Sequence, residues 1–203
     1  LAFALLGAMT IAAELPGASG NGQLLPNGWR LSPAGRHAVL ADYVLNLTPS
    51  PDGKSIVALH CGHSPHGVAV IDPATMEIRQ QVGLKSAWLG LAWAPDGKTL
   101  YVSGGNATGR GKPTVAPVYA FGFARERLTE KPTGELKHRL PAKEIYWSGL
   151  VHHPHKPLLF AANRGTQPTP GHVVVFDTHT GKRTAELPTE IHPYDVVLDA
   201  AGD

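Results

Sequence analysis

The sequence holds one cysteine, Cys61, among 203 residues. An internal disulfide is therefore excluded, and the fold must rest on its apolar core. It lacks an excess of either charge: 18 Lys and Arg stand against 16 Asp and Glu. Composition thus gives no basis for inferring a nucleic-acid partner. It also lacks an apolar run of membrane-spanning length. The stretch LAFALLGAMTIAA (1–13) reaches only about 20 Å as a helix, so no stable membrane span is expected. Two catalytic look-alikes fail. GHSPH (62–66) has the serine of a nucleophile elbow, but it ends in His66 and leads into a strand, not a helix. NATGRGKPT (106–114) lacks the first glycine of a phosphate loop and places Pro113 where a magnesium-binding hydroxyl belongs. No cofactor motif and no repeated acidic set is present, so no catalytic residue and no cofactor is assigned to the chain.

What is present is turn-rich and aliphatic. There are 23 Gly and 18 Pro without a fixed short period, between short Val/Ile/Leu runs. That mixture reads as all-β. The opening run suits the apolar region of a secretory signal, with cleavage within 12–20 and a mature start near LLPNGWR (24–30). Residues 1–20 are thus expected to be a partial signal peptide. With neither Met nor a basic stretch ahead of it, its beginning is expected to be missing. The expected location is periplasmic or extracellular.

Three segments align in register: LNLTPSPDGKSIVALHCG (45–62), LGLAWAPDGKTLYVSGG (89–105) and SGLVHHPHKPLLFAANRG (148–165). Each is an apolar strand, a tight turn after Pro51, Pro95 or Pro154, and a second apolar strand. Proline presets φ at the turn's first corner, and Asp-Gly reverses the first two copies. Each copy continues as a third strand, a turn and a more polar fourth strand, as in GVAVIDPATMEIRQQVGL (67–84) and HVVVFDTHTGKRTAELP (172–188). The third strands GVAVI and HVVVF are almost wholly apolar, so both their faces must be covered. Four-stranded antiparallel units repeating at this spacing predict a β-propeller whose blades stack face to face. The units are 45–84, 89–141 and 148–188, and a fourth starts at 195. Gly90 and Gly149 on the first strands suit places where blades crowd toward the axis.

FAAN (160–163), YVSGGN (101–106), VIDPAT (70–75) and VFDTHTG (175–181) resemble the YVTN repeat of YncE-like and lactonase-like propellers. The resemblance covers roughly residues 24–203 and implies seven blades in the whole protein. The opening LLPNGWRLSPAGR (24–36) resembles proteins that join such a propeller to an alkaline-phosphatase-type phosphoesterase domain. In that family the next strand closes the last blade. RHAVLADY (36–43), within an N-terminal segment 21–44, would take that role. About three and a half blades cannot close a ring, so the chain is expected to be an N-terminal fragment. Its uncovered apolar faces are expected to make it self-associate.

Propeller connectivity gathers the second-to-third-strand loops and the blade-to-blade loops on one face. That rim collects His63, His66, Trp88, Asn106, Arg110, Tyr146, Trp147, Asn163, Arg164, His192 and Tyr194, an expected site for a small ligand. A metal site is not assigned. His60, Cys61, His63 and His66 offer imidazole and thiolate, but on a short loop with no second ligand cluster. Histidines 152, 153 and 155 fall in the turn on the opposite face. Between Arg110 and Lys143 there are eight Lys/Arg and three Glu, read as a solvated surface. Two functions follow. The first is a non-catalytic module binding a ligand or organising a neighbouring domain. The alternative is a lactonase-like hydrolase acting on a sugar lactone, for which Asp195 and Glu144 sit near the right rim.

Overall fold

The computed structural model describes residues 15–19, 22–32, 34–63, 65–105, 117–138, 145–165 and 170–202. It separates into two compact units, residues 1–37 and 38–203. In the first, β1 (Gly17–Ser19), β2 (Gly22–Leu24) and β3 (Arg30–Leu31) form a small antiparallel sheet.

The second unit holds three successive sheets of up-and-down strands. The first is β4 (Val44–Pro49), β5 (Ile56–His60), β6 (Gly67–Ile71) and β7 (Ile78–Gly83), paired in chain order. The second is β8 (Leu91–Trp93), β9 (Thr99–Ser103) and β10 (Val118–Ala124), with β11 (Arg127–Leu128) and β12 (Gly134–Leu136) both pairing with β10. The third is β13 (Trp147–His152), β14 (Leu158–Asn163), β15 (His172–Asp177) and β16 (Arg183–Pro188). Each is a sheet of short antiparallel strands following one another along the chain. We call them blades 1 to 3 and their strands A to D.

The turns explain the shared register. Ser50, Ala94 and His153 occupy one position. Their amides donate to the carbonyls of Ser55, Thr99 and Leu158 at 2.8, 2.9 and 2.8 Å. In blade 3 the imidazole Nδ1 of His153 also accepts from the amides of His155 and Lys156. A histidine there replaces the side-chain acceptors that Ser50 and Asp52 supply in blade 1. At the other turn, Asp72 and Asp177 each cap two following amides. That explains why Asp recurs at those positions.

Strand alternation sends every second side chain to one face. From blade 1, Val57, Leu59, Val68 and Val70 pack against Leu91, Leu100, Val102 and Phe121 of blade 2. Tyr101, Val118 and Ala120 on the other side of blade 2 meet Leu159, Ala161, Val174 and Phe176 of blade 3. Blade 2 is thus buried on both faces. Burying each of the Val, Leu and Phe side chains among these contributes roughly 1.5–3 kcal/mol. Strand A of blade 2 lies beside strand A of both neighbours, and the Asn46 amide donates to the Leu89 carbonyl at 2.7 Å. This places the A strands innermost and the D strands at the outer edge.

Crowding at the inner edge is severe. A Cβ on Gly90 would run into the Ser148 carbonyl oxygen, and one on Gly149 would lie 2.6 Å from the Asp195 Cα.

Residues 36–43 carry no strand. A ladder forms only against a partner, and this segment packs instead by Ala38 and Leu40 on the free face of blade 1, against Ala58, Ala69 and Ile71. Residues 195–198 likewise form no ladder, although Gly149 N–H donates to the Tyr194 carbonyl at 3.0 Å.

Candidate functional site

The loops between strands B and C and between successive blades share one face, as hydrogen bonds across their bases show. Leu84 N–H donates to the His66 carbonyl, and Gly171 N–H to the Glu190 carbonyl. Strand B of blade 3 ends at Asn163, whose side chain is fully buried. Its Oδ1 accepts from the amides of Tyr146 at 2.7 Å and Gly165 at 3.2 Å. Arg164 N–H donates back to the Tyr146 carbonyl at 3.0 Å. Tyr146 and Arg164 are therefore fixed side by side by backbone bonds.

Their side chains meet above this frame. The guanidinium carbon of Arg164 sits 4.6 Å from the centre of the Tyr146 ring. Trp88 meets the same ring edge-on, with centroids 5.5 Å apart and planes at 84°. Burial raises the Tyr146 phenol above its ordinary value; Arg164 opposes the shift, and Cys61 and Tyr194 add smaller upward pushes. One half-buried group thus joins the loop ends of all three blades.

Several buried polar atoms here have no hydrogen-bond partner among the described residues: Trp88 Nε1, Arg164 Nε, His192 Nε2 and His60 Nδ1. Leaving such a group unpaired costs about 1–3 kcal/mol. His192 also holds a left-handed backbone, φ 60°.

The remaining sequence-derived residues fall as follows. His63 is exposed and its amide donates to Asp42 Oδ2 at 2.9 Å. His66 Nδ1 accepts from the Ala87 amide at 2.9 Å. Tyr194 is half exposed. Trp147 does not line the rim: it has no exposed surface and packs against Phe176 and His138 between blades 2 and 3. Asn106, Arg110 and Glu144 lie outside the described residues. Burial pushes the Cys61 thiol up, with Asp42 adding to it. Burial lowers His60, with His66 adding and Asp42 opposing.

A second cluster was not read from the sequence. His138 follows β12, His172 opens β15, and Glu186 lies on β16. His138 Nε2 is 3.3 Å from one carboxylate oxygen of Glu186, and His172 Nε2 is 3.2 Å from the other. These positions are far apart in sequence, and no local spacing joins them. Burial lowers His138; Glu186 opposes the shift, and Arg183 and His172 add to it. The opposite, turn-bearing face has an open groove of about 400 Å³ lined by Asp96, Tyr101, His152, His155, Thr178 and His179 among others.

No described protein family matches the sequence, and no curated protein matches it. Solved structures do. A hydrazine synthase chain from Kuenenia stuttgartiensis superposes with a TM-score of 0.59 at 22% identity, covering 81% of this chain and 42% of its own. The periplasmic gluconolactonase of Pseudomonas aeruginosa gives 0.55 at 18%, covering 77% and 48%. A luciferin-regenerating enzyme gives 0.52 at 12%, covering 77% and 50%. At such identities the likeness shows the fold alone, and that fold is the β-propeller. The chain spans about half the length of these structures or less.

Proposed function

We propose that this chain is a ligand-binding module of an exported, YVTN-type β-propeller protein. Its rim takes a small, acceptor-rich anion such as a sugar acid. The observation that carries this reading is the Trp88–Tyr146–Arg164 group, whose buried Trp88 Nε1 and Arg164 Nε donors have no partner among the described residues. The indole N–H and the guanidinium Nε–H both need an oxygen acceptor, and Arg164 adds a fixed positive charge. The two aromatic rings supply an apolar wall beside them. Few polar anchors on an apolar wall is the usual composition of a small-molecule site.

Binding fits better than lactone hydrolysis. Hydrolysis needs carboxylates or imidazoles converging on the reacting atom. Among the described residues, Asp42 is taken up by the His63 amide, and Asp195 by the Val196 amide beside Gly149. In the phosphoesterase fusion implied by residues 24–36, the chemistry would lie in a separate domain.

Calorimetric titration of the chain with gluconate, glucono-1,5-lactone and inorganic phosphate tests this. Saturable binding that Arg164→Ala abolishes is expected. No saturable binding to any of the three overturns the reading, and lactone turnover would replace it with the hydrolase.

A further inference from the structure

Two blades contribute to the second polar cluster. His138 comes from the outer edge of blade 2, and His172 and Glu186 come from strands C and D of blade 3. One ligand atom from each can be chosen so that all three lie within 4.8 Å of one another. The His138 side chain is 2% exposed, His172 17% and Glu186 30%. The His138 ring stands 6.2 Å from Trp147, edge-on, so the core fixes its orientation.

Hydrogen bonding alone does not satisfy this arrangement. Asn163 Oδ1 is committed to two backbone amides, so its Nδ2 is the atom facing His172 Nε2, at 3.1 Å. Nε2 should then accept, yet its other neighbour at 3.2 Å is a carboxylate oxygen, also an acceptor. His138 repeats the conflict, with Arg183 Nη1 at 3.4 Å and a Glu186 oxygen at 3.3 Å. One neutral ring nitrogen cannot both donate and accept. A cation placed between the two imidazole lone pairs and the carboxylate removes the acceptor–acceptor contacts, with Asn163 Nδ2 giving up His172 as its acceptor.

The spacing is within reach of a zinc shell. Two ligands about 2.05 Å from a tetrahedral ion stand roughly 3.3 Å apart; each imidazole is that close to a different oxygen of Glu186, at 3.3 and 3.2 Å, and the three ligand atoms within 4.8 Å of one another must draw in to close on one ion. We infer that His138, His172 and Glu186 form a divalent-metal site of the zinc type, clipping the edge of blade 2 to blade 3. Two histidines and a glutamate leave a fourth position for water, on the side where Glu186 meets solvent. Arg183 is the competitor: its guanidinium contacts Glu186 and is half exposed, so it can swing into water when a cation takes the carboxylate. The site is separate from the rim and stands or falls independently of it.

The test uses the full chain, stripped with chelator and titrated with zinc chloride at neutral pH. One zinc per chain with a micromolar or tighter Kd is expected, and cobalt(II) should give the intense visible absorption of a four-coordinate site. Glu186→Gln should weaken binding roughly 100-fold, while Arg183→Ala should tighten it. His63→Ala, on the other loop, should change nothing. Circular dichroism of apo Glu186→Gln checks folding; Arg183→Ala removes no ligand and decides the matter if that variant fails. Absence of stoichiometric binding, or affinity indifferent to both substitutions, overturns the site.

Discussion

The guanidinium of Arg164 rests on the face of Tyr146 at 4.6 Å, and the backbone of the same pair is joined by the Arg164 amide to the Tyr146 carbonyl. The geometry is held by main chain rather than by the stack itself. Truncating the side chain should therefore cost little stability. Arg164→Ala is expected to lower unfolding free energy by about 0.5–1 kcal/mol, measured by urea melts. A loss several times larger would mean that the residue is a structural prop.

Gly149 tests the inner-edge packing. A Cβ there meets backbone of the following segment at 2.6 Å, and atoms of that kind cannot move aside cheaply. Gly149→Ala is expected to destabilise by about 1–3 kcal/mol. Gly83→Ala, which meets nothing within 4 Å, is the control and should be nearly silent. Equal effects in the two urea melts would refute crowding as the reason for glycine.

Acid should weaken the fold. Burial lowers His60, His138 and His152 below the ordinary 6.5, as the first cause in each case. Around His152, the hydrogen bond to the His153 carbonyl and the Asp96 charge oppose the shift, and the charges of the His153 and His179 rings add to it. The native state therefore binds fewer protons than the unfolded chain below pH 6.5. Stability is full above that value and drops as pH falls through the unfolded and then the depressed native pKa. Thermal melts between pH 8 and 5 should show the midpoint descending on the acid side. A flat profile would show that these imidazoles are not buried as described.

Apolar residues are exposed at both flanks of the blade set: Leu47 is 58% exposed and Val197 82%. Faces of this kind promote association. Sedimentation velocity should show this 203-residue chain self-associating as concentration rises. A single monomeric boundary across the range would contradict the expectation.

The blades were legible because the pattern is local and repeated. GVAVI buries both faces, as an unbroken apolar run demands, and Val68 and Val70 face blade 2 while Ala69 and Ile71 face the other way. The rim was legible only in part. Trp88 and Trp147 stand at the same offset from Gly90 and Gly149, yet Trp147 pairs with Asn163 and turns into the interblade core. Sequence offset does not report which way a side chain turns at a strand's first residue. The His138–His172–Glu186 cluster was invisible because its register depends on how one blade's edge meets the next. RHAVLADY has strand character, but it forms no ladder: among its main-chain groups the Tyr43 carbonyl at its end accepts from the Cys61 amide, and the rest of the segment packs by side chains.

Fluorescence of the rim tryptophan tests the central claim most directly. Titrating the chain with gluconate should change tryptophan emission saturably, and the change should vanish in both Trp88→Phe and Arg164→Ala. An emission change that survives Trp88→Phe, or none at all up to millimolar ligand, would contradict a binding site on this rim.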